Sequence, residues 1–178
     1  MVLANVHIQK DLMQQNMKVS LFTNVIPSIE KGNIYNLVTT KIINPYTMVL
    51  STLKFGTIKE LYIATYAINL KAIKIFTNLL ASKDVEQWTL LINENMKFRM
   101  KGKEVVLFEA VKAYDNFILK KARVHAKVTL IQVEDKYIVI TGSGNYSENP
   151  KIEQYTICDN EELYNFHKEW INEQKTCR

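Results

Sequence analysis

The stretch His125-Ala-Lys-Val-Thr-Leu-Ile-Gln-Val-Glu-Asp-Lys-Tyr-Ile-Val-Ile-Thr-Gly-Ser-Gly-Asn145 decides the fold. Val124 to Val133 and Lys136 to Thr141 are rich in β-branched residues, and the turn formers Glu134 and Asp135 stand between them. That pattern predicts two strands in hairpin arrangement. Alternation along the first strand predicts that His125 and Lys127 share a face. The second strand runs out into Gly142-Ser143-Gly144-Asn145, and Ile152 to Cys158 reads as a further strand that carries Glu153.

Upstream, Glu60 to Ile68 has the β-branched and aromatic content of a buried strand. Asn69 can cap the helix that follows, because its side chain can accept from first-turn amides. Leu70, Ile73, Phe76, Thr77 and Leu80 recur at the spacing of one helical face. Trp88 to Ile92 reads as the next strand. Glu104 to Lys121 reads as a second helix with apolar positions Val105, Phe108, Val111 and Ile118, its basic end Lys120, Lys121 and Arg123 suiting a helix C-terminus. Asn160 to Gln174 closes the chain as an amphipathic helix with Leu163, Phe166, Trp170 and Ile171 inward. The alternation predicts an α/β domain, a mixed sheet flanked by helices on both faces. Residues 1–55 are less regular. Val19 to Ile26, Ile34 to Val38 and Met48 to Leu53, broken by Pro27, Gly32 and Pro45, read as strands and turns feeding the sheet or as a layer over it.

All 178 residues are expected to form one domain, since no repeat, low-complexity tract or linker divides them. With 47% hydrophobic and 23% charged residues the chain can bury a core, which excludes a disordered or collagen-like class. A net charge of +5 suits an anionic partner without naming one. No window of eighteen uncharged apolar residues exists and the first residues lack an apolar leader, so no membrane association is expected. Cys158 and Cys177 read as reduced thiols, and the expected location is cytoplasmic.

An imidazole and an ammonium converging on one patch suit a phosphate. The lysine neutralises phosphoryl charge, and the histidine can act as nucleophile or acid/base near neutral pH. Gly142 and Gly144 are small enough to let backbone amides approach a ligand, and Ser143 and Asn145 add polar side chains, although the same types also make plain turns. Glu153, one strand over, is placed to orient the imidazole. Tyr146 is the aromatic first expected to touch substrate. Tyr62, Tyr66 and Phe76 read as core, His7 and His167 stand in uninformative surroundings, and Lys97, Arg99, Lys101 and Lys103 read as a solvated loop or a backbone-binding patch.

His125-x-Lys127, Gly142-Ser143-x-Asn145 and Glu153, in this order, resemble the phospholipase D superfamily and its HKD motif. The resemblance covers roughly residues 58–173 and takes in the preceding strand and helix. It implies a phospholipase D-like αβα layered domain. The motif's Asp position holds Gln132, and the long hairpin offers Glu134 or Asp135 as displaced substitutes. Family enzymes build one active site from two motifs and this chain has one, so the resemblance implies a homodimer with the two His125 side chains facing each other.

The resemblance further implies a phosphohistidine on one His125, a leaving group protonated by the other, and phosphoryl oxygens held by Lys127 and Asn145 with help from Ser143. Glu153 would orient His125, and neither metal nor cofactor is implied. The function this points to is a metal-independent nuclease cleaving DNA or RNA. A non-catalytic or partner-dependent nucleic-acid-binding module is the alternative, with a lipid phosphodiesterase third, since no interfacial anchor is evident.

Overall fold

Ile58–Thr65 (β2) is buried almost without interruption from Leu61 onward, as befits a strand in the middle of a sheet covered on both faces. The computed structural model describes residues 17–40, 43–95, 103–147 and 152–177. A helix over 17–25 (α1) precedes Ile34–Thr40 (β1) and Pro45–Thr52 (α2). After β2 come Leu70–Ser82 (α3), Val85–Asn93 (β3), Lys103–Ala113 (α4) and Phe117–Ala122 (β4). Val128–Val133 (β5), Lys136–Gly142 (β6), Ile152–Asp159 (β7), Glu161–Asn172 (α5) and Thr176–Cys177 (β8) complete the described part.

One mixed sheet of eight strands runs in the order β1-β7-β6-β5-β2-β3-β4-β8. The β2, β3 and β4 strands are parallel and linked through α3 and α4, while β5, β6, β7 and β1 follow antiparallel on one side of β2. On one face α2, α3 and α4 cover a core of Leu61, Ile63, Trp88, Ile131 and Ile140, with Phe76 between helix and sheet. On the other face α5 buries Tyr164 and Ile171 against Tyr62, Leu130 and Val139. The expected α/β class, helices on both faces of a mixed sheet, is the observed one.

Local signals set several boundaries. Asn69 Oδ1 accepts from the Ala72 amide at 2.8 Å and Asn160 Oδ1 from Leu163 at 2.8 Å, so α3 and α5 begin where their caps predict. Each such cap contributes about 1 kcal/mol. The β5–β6 turn falls on Glu134 and Asp135, with Glu134 at φ 50°.

Five expectations are corrected. The helix expected over Glu104 to Lys121 stops at Ala113, and Phe117–Ala122 is a strand. Phe117 stacks on Trp88 with ring centroids 4.2 Å apart, and the segment pairs in parallel register with β3, which outweighs its helical periodicity. Lys120 is therefore no helix terminus but a buried strand residue. The strand expected from Val124 begins only at Val128, and the one expected to Ile68 ends at Thr65. In the N-terminal third, Ile34–Thr40 does join the sheet, pairing with β7, but the runs at Val19 and Met48 are helical. On α5, Leu163 and Phe166 point outward, Phe166 being 62% exposed, because Tyr164, Lys168 and Ile171 take the inner stripe. Among the described residues, no helix is long and apolar enough to cross a membrane.

Candidate active site

The C-terminal ends of β2 and β3, the segment entering β5, and the end of β6 all meet at one edge of the sheet. That edge is where open α/β sheets place ligands, because the strand ends leave loops free to converge. His125 lies in the irregular segment between β4 and β5, exposed, and its position is built from three sides. Asn93, buried at the end of β3, donates from Nδ2 to the Val124 carbonyl at 2.7 Å. The Tyr66 ring sits 5.1 Å from the imidazole, tilted at 57°. Lys127 folds back, its Nζ donating to the His125 carbonyl at 2.8 Å and lying 3.1 Å from Nδ1. The pairing of His125 with Lys127 thus holds, though by a loop that folds on itself rather than by strand alternation.

Burial pushes the Lys127 ammonium below the usual lysine value, and the Glu153 carboxylate pulls it partly back. Glu153 is therefore in the field of Lys127, while its carboxylate accepts a short hydrogen bond from the Ser143 hydroxyl. Ser143 Oγ also accepts from the Gln154 amide at 3.0 Å. The Ser143 proton is committed to Glu153, so this side chain ties the end of β6 to β7. The single proton of the Thr65 hydroxyl is shared between the Ala67 carbonyl at 3.0 Å and Asn145 Oδ1 at 3.3 Å. With Oδ1 taken, Asn145 has its amide Nδ2 left as a donor.

Three expected substrate contacts are corrected. The Gly142 amide bonds to the Lys127 carbonyl at 3.3 Å and the Ser143 amide to the Gln154 carbonyl at 3.0 Å, so neither is aimed at a ligand. The glycines also answer a packing need. A Cβ on Gly142 would run into the Gln154 carbonyl and the Tyr155 ring, and one on Gly144 would meet the Tyr155 hydroxyl. Tyr146 is 2% exposed, hydrogen-bonded through its hydroxyl to Thr129 at 2.6 Å and packed edge-on against Phe76. It belongs to the core, and burial holds its phenol well above the usual tyrosine range.

Gln132 stands in β5 directly opposite Glu60 of β2 and Tyr137 of β6. Glu60 accepts from Lys168 at 2.5 Å and from Tyr164 at 3.0 Å, so its charge is compensated from α5. Glu134 and Asp135 sit in the turn at the far end of β5 from Lys127 and cannot replace the missing motif Asp. Tyr62 and Phe76 are core as expected. His167, half-buried on α5, accepts from Trp170 Nε1 at 2.9 Å away from the site. His7 and the basic residues Lys97, Arg99 and Lys101 lie outside the described residues, as does the Lys103 side chain.

Reading the sequence missed Thr65, Asn93 and Tyr155, and it put Tyr66 in the core, whereas that ring is half-buried against His125. Thr65 and Asn93 carried a signal, each being a polar residue that follows an apolar run at the end of its strand. Tyr155 carried none, since its hydroxyl matters only once β6 and β7 are paired.

No family model and no curated protein matches the sequence. Solved structures do match in fold. Nuc from Salmonella typhimurium, described as a phospholipase D family member, superposes with a TM-score of 0.57 at 15% identity, covering 82% of this chain and 99% of its own. Phosphatidylserine synthase from Haemophilus influenzae gives 0.55 at 12%, over 81% of this chain and 40% of its own. TrmBL2, an archaeal chromatin protein described as showing a novel mode of DNA binding, gives 0.52 at 13%, over 98% and 66%. At such identities the likeness is one of fold.

Proposed function

From the fold of the phospholipase D superfamily, which this chain has, we propose a phosphodiesterase that cleaves nucleic acid without a metal, through a phosphohistidine. The observation that carries this reading is the His125–Lys127 pair, with Lys127 Nζ 3.1 Å from the imidazole in an exposed site at the sheet's ligand-binding edge. Asn145 and Glu153 follow in the motif's order, and the Glu153 carboxylate acts on the Lys127 ammonium. In the first step a His125 ring nitrogen attacks phosphorus, the P–O bond to the leaving group breaks, and the partner subunit's His125 gives that oxygen a proton. In the second, the partner subunit's His125 takes a proton from water, whose oxygen displaces the histidine from phosphorus. Lys127 and the Asn145 amide hold the non-bridging oxygens, where developing charge is largest. Glu153 keeps Ser143 and Lys127 in place and through them orients His125. A net charge of +5 favours a polyanionic substrate over a lipid.

A second reading is a nucleic-acid-binding module without turnover. Two observations favour it: Gln132 in place of the motif Asp, and the match to a DNA-binding chromatin protein over 98% of the chain. The two readings separate in one experiment. Purified protein and His125→Ala are incubated with labelled single- and double-stranded DNA and RNA in EDTA. Cleavage by the parent and none by the variant is expected. Salt-sensitive binding with no cleavage selects the second reading, and cleavage that needs a metal overturns the histidine mechanism.

A further inference from the structure

Beside the site, on the face of the sheet where α5 packs over β5 and β6, a groove of about 460 Å³ crosses β6, β7 and β1. Its floor is a row of cross-strand neighbours, Thr141 beside Thr156 and Thr156 beside Asn36, with Gln154 beside Val38 in the next row. None of the residues lining it is charged. Gly142, which lines this groove, donates its amide to the Lys127 carbonyl at 3.3 Å, so the groove ends next to the site.

We propose that this groove is a subsite for an unpaired nucleobase next to the scissile phosphate, which makes single-stranded nucleic acid the preferred substrate. The inference rests on the phosphodiesterase reading above and adds to it the strandedness and the residues that read sequence. A phosphate track needs cations, and this groove has none. Hydroxyl and carboxamide groups on a flat sheet match instead the hydrogen-bonding edge of a base, and the exposed Val38 side chain, 70% accessible, offers an apolar contact for its face. The Asn36 amide is already oriented for this. Its Oδ1 accepts from the Thr156 hydroxyl at 2.9 Å, so its Nδ2 is the group presented as a donor. A base held in a duplex has that edge occupied by its partner and cannot reach a sheet floor.

The test compares the parent with Asn36→Ala and Thr156→Val on single-stranded oligonucleotides that differ only in the base beside the cleaved bond. Bis(p-nitrophenyl) phosphate, too small to fill site and groove together, reports the phosphoryl chemistry alone. The expected result is a base preference in the parent that flattens in both variants. Their kcat/KM on the preferred oligonucleotide should fall about tenfold relative to bis(p-nitrophenyl) phosphate. Equal losses on both substrates, or a preference that survives both substitutions, would overturn the proposal. If the parent turns over neither substrate, the phosphodiesterase reading fails by itself. The groove is then judged by equilibrium binding of the same oligonucleotides, where base-dependent affinity lost in Asn36→Ala supports it and unchanged affinity refutes it. Dimer dissociation in both variants with substrate preference intact would reassign the face to contact between copies, and so also refute it.

Discussion

The hydroxyl of Tyr155 occupies the space that a side chain on Gly144 would need. Tyr155 is itself fixed, 4% exposed at the centre of β7, and burial together with the nearby Glu153 charge holds its phenol well above the usual tyrosine range. The loop that carries Asn145 thus takes its path from a residue of the neighbouring strand. Gly144→Ala should cost about 1–3 kcal/mol of stability. Adding Tyr155→Phe should restore only part of it, because the ring carbon Cζ would still lie 2.8 Å from the new methyl. Urea unfolding of the three proteins checks this, and equal midpoints for parent and Gly144→Ala would refute it.

Thr65 is fully buried and holds the Asn145 carboxamide by its oxygen. Thr65→Val, nearly the same shape, frees that amide to turn. On the proposed function, kcat should fall about tenfold with little change in KM, and Thr65→Ser should retain activity. A valine variant as active as the serine one would show that the hydroxyl only fills the strand end.

Gln132→Asp would restore the motif residue, yet it sets a second carboxylate directly opposite Glu60. Like charges facing each other across a strand pair are unfavourable, so the variant should lose about 0.2–1 kcal/mol near pH 7. Denaturant midpoints of the two proteins near pH 7 would settle the matter, and a stabilised Gln132→Asp would sink the idea.

Lys120 is a buried ammonium whose three protons go to the Asn172 carbonyl at 2.9 Å, the Gln174 carbonyl at 3.0 Å and the Thr176 hydroxyl at 3.3 Å. It ties the end of α5 and β8 to β4. Lys120→Met keeps the stem but strands those acceptors, at about 1–3 kcal/mol. Hydrogen exchange at the Lys121 amide, which bonds to the Lys175 carbonyl, should quicken first.

Burial lowers the His167 pKa below the usual histidine value, and the bond from Trp170 Nε1 needs its Nδ1 unprotonated. The unfolded chain then binds the proton more readily than the folded one. This contribution is present above the unfolded value of about 6.5 and is lost as pH falls through it toward the lowered folded value. The Tm of the parent minus that of His167→Gln should therefore shrink on going from pH 7.5 to pH 5.5. A difference independent of pH would show that this bond does not respond to protonation.

Much of the fold was legible because its signals are local. Asn69 and Asn160 cap helices using amides only three residues away, Glu134 and Asp135 turn a hairpin by their own backbone, and the β-branched runs of β2, β5 and β6 suit strands wherever they pair. The likeness in the motif was legible for the same reason, since His125, Lys127, Asn145 and Glu153 are recognised by spacing.

What these residues do to one another is a tertiary matter. Phe117 to Ala122 could read as the end of a helix until Trp88 supplied a ring for Phe117 to stack on. The Gly142 amide looked free for a ligand until the Lys127 carbonyl took it, and Tyr146 looked like a substrate contact until Thr129 and Phe76 enclosed it. The chain by itself determined most of the strands and helices and the likeness of its motif, because caps, turns and residue types act within a few positions. Only the tertiary structure decided which polar groups face the site and which are spent holding it, because hydrogen bonds and excluded volume depend on neighbours brought in from distant strands.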